Sequence, residues 1–114
     1  MGLPALIKEQ VENTLLRYCE ARIPAHVRDR VRLSFKFRGN SVTLFEQRPA
    51  FHKPAEWVDI NVAQFRYDPE TKRWTLYLGD RNSRWHKYDQ LVPNEDFDVL
   101  LHEVERDPTG IFWG

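Results

Sequence analysis

The sequence predicts an α+β fold: an N-terminal helix, an antiparallel meander of about five strands, then an acidic helix and an aromatic tail tucked against the core. Three observations carry this expectation. Arg30–Arg38 alternates apolar and polar residues with strict period two, which is a half-buried strand. Gly39-Asn40 and the segment Asp68-Pro69-Glu70-Thr71-Lys72 are turn compositions set between strand-like runs. Apolar residues recur at helical spacing near both ends of the chain. At 114 residues, one domain spanning 1–114 is expected.

The first helix opens at Pro4, whose fixed φ suits a first turn, and runs to about Arg22. Ile7, Val11, Leu15, Tyr18 and Cys19 form its apolar stripe, and Pro24 stops it by removing a donor and disfavouring helix before it. In the strand Arg30–Arg38, Val31, Leu33, Phe35 and Phe37 point one way, and Arg30, Arg32, Ser34, Lys36 and Arg38 the other. A two-residue turn at Gly39-Asn40 returns Ser41–Arg48 antiparallel, pairing Phe37 with Val42, Phe35 with Leu44, Leu33 with Glu46 and Val31 with Arg48. The apolar face thus ends in two charges.

Gln47–Trp57, with Pro49 and Pro54, reads as an irregular crossing loop. Asp59–Tyr67 and Arg73–Gly79 form a second hairpin, with Tyr67 opposite Trp74, Phe65 opposite Leu76 and Ala63 opposite Leu78. A third turn is expected at Gly79-Asp80-Arg81-Asn82, with Asn82 left-handed. It places His86 opposite Leu76, Tyr88 opposite Trp74, and Trp85 near Tyr77 on the outer face. A two-residue loop at Arg81-Asn82, disfavoured because arginine is a poor choice for positive φ, would shift the register by one and exchange these faces. Asn94 is a plausible cap for the last helix, which reaches about Arg106 and buries Phe97, Leu100, Leu101 and Val104. Six acids against one arginine coat the rest of Glu95–Asp107, and those near its start suit the helix dipole.

Composition narrows the function classes. Net charge is zero, which disfavours binding by bulk charge, yet the halves differ. Residues 1–53 carry ten Lys/Arg and five Asp/Glu, and residues 54–114 carry seven and twelve, so the halves are +5 and −5. One cysteine, Cys19, fits a reducing compartment, and a cytoplasmic protein without a membrane partner is expected. His26, His52, His86 and His102 show no ligand spacing, so neither a metal nor another cofactor is expected. Phosphate-cradling glycine loops and nucleophile elbows are missing from the sequence.

The blocks Ala63–Tyr67, Arg73–Pro93 and Asp107–Gly114, with the upstream Ser41–Pro49, resemble a bacterial domain-of-unknown-function family, number 3024. The resemblance implies a shared fold and supplies no chemistry. Leu78 departs from it, standing where the family has a second tryptophan after Leu-Tyr.

Two constellations remain as candidates. Glu46, Arg48 and His86 would form a cleft in which a carboxylate or imidazole moves a proton and the guanidinium holds an anion, provided they meet. A rim ion pair between Glu46 and Arg48 is the plainer expectation. On the outer face, Arg32, Lys36, Arg38 and Arg66 are interleaved with Phe45, Gln47, Tyr77 and Trp85, with Arg81 at the third turn. Cations among exposed aromatics suit single-stranded nucleic acid. The competing expectation covers this face with the C-terminal helix, acids against bases. The favoured reading is a non-enzymatic binding module with nucleic acid or protein as partner, homodimerisation being compatible with it. The alternative is a small enzyme or ligand-binding protein using Glu46, Arg48 and His86.

Overall fold

The computed structural model describes residues 2–113; Met1 and Gly114, the last residue of the tail block, lie outside the described residues. Helix α1 (Ala5–Arg22) follows Pro4 and ends where Ile23 turns extended. Val11 and Leu15 are buried, and Ile7, Tyr18 and Cys19 pack against the same core. A short 3-10 turn at Ala25–Val27 then leads to β1 (Arg32–Arg38). The strand starts two residues later than expected, because the Arg30 and Val31 amides both donate to the Val27 carbonyl. The expected Val31–Arg48 pair therefore does not form.

The tight turn at Gly39-Asn40 behaves as its composition requires, with Gly39 at φ +56°. Strand β2 (Ser41–Pro49) pairs with β1 in the expected register, Phe37 opposite Val42, Phe35 opposite Leu44 and Leu33 opposite Glu46. The crossing loop is shorter than expected. Strand β2 continues through Arg48 to Pro49, and β3 (Trp57–Asp68) starts at the proposed loop's far end, leaving 50–56 as the connection. Pro49 is tolerated as the terminal strand residue, where a ladder donor can be spared.

Strand β4 (Arg73–Gly79) meets β3 with Tyr67 opposite Trp74, Phe65 opposite Leu76 and Ala63 opposite Leu78. The short β5 (Trp85–Lys87) completes an antiparallel meander in the order β1-β2-β3-β4-β5. Its register differs from expectation by two residues: His86 lies opposite Leu78, Lys87 opposite Tyr77 and Trp85 opposite Gly79. The turn has moved one residue on, with the Ser83 amide bonded to the Asp80 carbonyl and Ser83, not Asn82, left-handed at φ +61°. Asp80 decides this. As first residue of the turn its carboxylate accepts from the Asn82 and Arg84 amides at 2.8 and 3.0 Å. A shift of two preserves the alternation, so Trp85 stays on the outer face.

Helix α2 (Phe97–Arg106) is capped by Asp96, which accepts from the Asp98 amide at 2.9 Å. The expected cap, Asn94, lies before it. Its side chain accepts from the Asp96 amide, and its backbone bridges to Trp74. The helix ends at Asp107, left-handed at φ +42°, whose two carboxylate oxygens accept from the Phe112 and Trp113 amides. This clamp folds the tail back. Phe112 is buried against Tyr88 and Trp113 donates to the Val104 carbonyl, while Ile111 stays exposed.

Both helices contribute to one core with the inner face of the sheet. Val11 and Leu15 of α1 join Leu44, Phe65, Trp74 and Leu76 of the strands and Phe97, Leu100 and Val104 of α2. Phe97 packs on Phe65 and Trp74, with ring centroids 4.7 and 5.1 Å apart. The expectation that α2 covers the outer face is therefore overturned. Its apolar side requires the apolar sheet face, and α1 leaves room for it there. Among the described residues no helix is long and apolar enough to cross a membrane.

Candidate functional site

The outer face of the sheet is set by the polar positions of the alternating strands. Arg32, Lys36 and Arg38 stand exposed on β1 and Arg66 on β3. Three cations lie over aromatic rings: the Arg32 guanidinium 4.0 Å from Trp57, the Lys36 ammonium 5.1 Å from Phe45, and the Arg66 guanidinium 3.8 Å from Tyr77. Arg66 Nε also donates to Gln64 Oε1 at 2.7 Å, and Gln64 Nε2 donates to Thr43 Oγ1 at 2.9 Å. That chain of bonds orients the Arg66–Tyr77 stack. Gln47 donates to Asp59 at 3.0 Å at the far end of the face.

A groove of about 410 Å³ crosses this face, lined by Lys36, Arg38, Thr43, Asn61, Gln64 and Trp85. Its residues come from both edge strands as well as β2 and β3, so the outer surface is concave. Asn61 enters through a bulge. Strands β2 and β3 (paired from Ser41–Arg66 to Pro49–Trp57) change register between Leu44 and Phe45: Leu44 faces Ala63, but Phe45 faces Asn61. Val62 is the extra residue, and both it and Ala63 enter the core. Beyond this point the alternation of β3 is reversed, bringing Asn61, Asp59 and Trp57 to the outer face.

Of the outer-face candidates, Arg32, Lys36, Arg38, Arg66, Tyr77 and Trp85 share the face. Arg81 sits exposed in the third turn beside it. Trp85 does not stack near Tyr77; its ring lies over Gly79, where an added Cβ would be 3.4 Å from Trp85 Cζ3. Trp57 and Asn61 escape a strictly alternating reading. The signal for them is a phase change, since Val58, Ile60 and Val62 alternate in one phase and Ala63, Phe65 and Tyr67 in the other.

The second constellation is divided. Glu46 and Arg48 form an ion pair at 3.1 Å along one strand face, their side chains 17% and 52% exposed. Leu33 and Ile60 flank Glu46 in the neighbouring strands. His86 lies on β5, with β3 and β4 between it and β2, and its Nε2 meets Asp80 Oδ2 at 2.8 Å. The hydrogen bond to His86, then that from the Arg84 amide, lowers the Asp80 pKa to about 2. Glu46 and Arg48 thus act on each other, whereas His86, beyond two intervening strands, braces a turn. Burial raises the Cys19 thiol to about 11, which suits an inert core sulfur. No cluster of metal-ligating side chains occurs among the described residues.

Fold and face together define a small α+β domain with two helices on one side of a meander and a concave, basic and aromatic surface on the other. The chain belongs to the DUF3024 family, a domain of unknown function whose model matches residues 3–114. Neither the curated proteins nor the solved structures yield a match.

Proposed function

We propose that the protein is a non-enzymatic binding module whose concave sheet face takes single-stranded nucleic acid. The carrying observation is the row of three cation–aromatic pairs on a face that neither helix covers. Zero net charge is compatible with this reading, because the acids of α2 lie on the other side of the sheet. Phosphates are attracted to the cations, and the partly exposed Trp57, Tyr77 and Trp85 rings offer surface to bases, each stacked base contributing about 1–3 kcal/mol. Phe45, expected to be exposed, is buried beneath Lys36 and offers none. A curved face accommodates a flexible single strand better than a rigid duplex.

Titrating labelled single-stranded DNA and RNA oligonucleotides over a range of ionic strength tests the reading. Four phosphates neutralised by Arg32, Lys36, Arg38 and Arg66 give a slope of log K against log salt of about −3, at roughly −0.7 per phosphate. Replacing Arg32 and Arg66 by alanine should flatten the slope by about 1.4 while leaving the fold intact. An absence of binding at low ionic strength overturns the proposal.

A further inference from the structure

We infer that the groove crossing this face is a subsite for one unstacked nucleobase, held against Trp85 and hydrogen-bonded by Asn61, with Lys36 and Arg38 taking the adjoining phosphate. The inference rests on the single-strand reading above and specifies where one nucleotide sits. Four observations converge on it. The groove, about 410 Å³, is large enough for a base and its sugar and is bounded by these side chains. The Trp85 ring is backed on one side by Gly79, the residue opposite it on β4, so a base has a braced aromatic plane to stack on.

Asn61 is the uncommitted amide of the groove. Gln64 already donates to Thr43 and accepts from Arg66, whereas the exposed Asn61 side chain makes no hydrogen bond among the described residues. An amide offers a donor and an acceptor side by side, which matches the edge of a nucleobase. Finally, Lys36 and Arg38 line the opposite wall and form no ion pair among the described residues. A strand entering the groove can therefore neutralise both cations while its base reaches Trp85.

The test compares wild type, Trp85→Ala, Trp85→Phe and Asn61→Ala for binding to a short single-stranded oligonucleotide and to the same backbone made abasic. Trp85→Ala is expected to weaken binding to the normal oligonucleotide about tenfold or more with an unchanged salt slope. Trp85→Phe should restore most of the loss. On the abasic backbone wild type and Trp85→Ala should bind equally. Asn61→Ala, an exposed change that spares the fold, should reduce the spread of affinities among oligo-dA, oligo-dC and oligo-dT.

Wild-type affinity and base preference in both Trp85→Ala and Asn61→Ala overturn the subsite and leave the wider binding surface standing. Failure of the wild-type protein to bind any oligonucleotide overturns both. Should Trp85→Ala unfold, as judged by circular dichroism, Asn61→Ala still decides the matter: an unchanged base preference in that variant removes the subsite.

Discussion

Tyr88 is buried beside Phe112 and donates its hydroxyl to Glu103 Oε2 at 2.7 Å. Burial, followed by that bond to Glu103, pushes its pKa up to about 12. A raised folded-state value means that the neutral form is favoured in the fold, so this contribution to stability is complete below pH ~10 and lost towards 12. Tyr18 brings the same hydroxyl into the core from α1 but finds no hydrogen-bond partner among the described residues, and burial, followed by the nearby Glu105 carboxylate, raises its pKa. The neighbouring carboxylate is engaged by Arg22 at 2.7 Å, and the Arg22 guanidinium also covers Trp113 at 3.9 Å. Phenylalanine at the two positions should therefore have opposite effects. Tyr88→Phe removes a charge-assisted bond and should cost about 1.5 kcal/mol in urea unfolding. Tyr18→Phe removes an unsatisfied group and should be neutral or stabilise by up to about 1 kcal/mol. A large loss from Tyr18→Phe would mean that its hydroxyl is bonded after all. Sequence alone placed both rings in the core, since helical and strand spacing report direction. It was silent on hydroxyl partners, which depend on how the helices sit over the sheet.

The hairpins differ in how far local chemistry specifies them. At Gly39-Asn40 the glycine satisfies a positive φ and the register follows at once. At the third turn several polar residues compete, and the choice belongs to Asp80, which binds the Asn82 and Arg84 amides and His86 together. Local sequence shows that Asp80 belongs in the turn; its position within the turn follows from these bonds. The sign of the pH effect is fixed by the depressed Asp80 pKa. Its stabilising contribution is present above the unfolded carboxylate value near 4 and lost as pH falls through about 2. Short β5 has little else to hold it, so acidification below pH ~4 should loosen β4–β5 before the core. Trp85, the tryptophan beside this turn, should then change its fluorescence in a variant with Trp57 and Trp113 replaced by phenylalanine. Asp80→Asn, which cannot titrate, should abolish the acid-induced change. A change that persists in Asp80→Asn would assign it to other carboxylates. The bulge between β2 and β3 was hidden for a different reason: alternation continues on both sides of it, and only the phase slips.

At the scale of the molecule, the layers predict where the fold opens first. The core joins α1 and α2 to β1–β4 around Leu44, Phe65, Trp74 and Leu76, all nearly inaccessible to solvent. The far half of the β2–β3 hairpin lies outside this layer. From Trp57 to Asn61, β3 has β2 on one side and no β4 partner on the other, because β4 pairs only from Ala63 onward. Its Val58 and Ile60 are each 43% exposed, and the adjacent connection carries Phe51 at 91% exposure. A segment with one paired edge and few buried apolar neighbours opens at lower free energy than a central strand. Hydrogen exchange should accordingly show bonded amides in Trp57–Asn61 and β5 exchanging about a hundredfold or more faster than those at Val42–Leu44 and Ala63–Tyr67. The bulge at Val62 should mark the border, since it interrupts the ladder between the two halves of β3. Uniform protection along β3 would contradict this division and make the hairpin one cooperative unit with the core. A bound single strand across the concave face would touch Trp57 and Arg32 at one end and Trp85 at the other. It should slow exchange at Trp57–Asn61 and β5 while leaving the already protected centre unchanged.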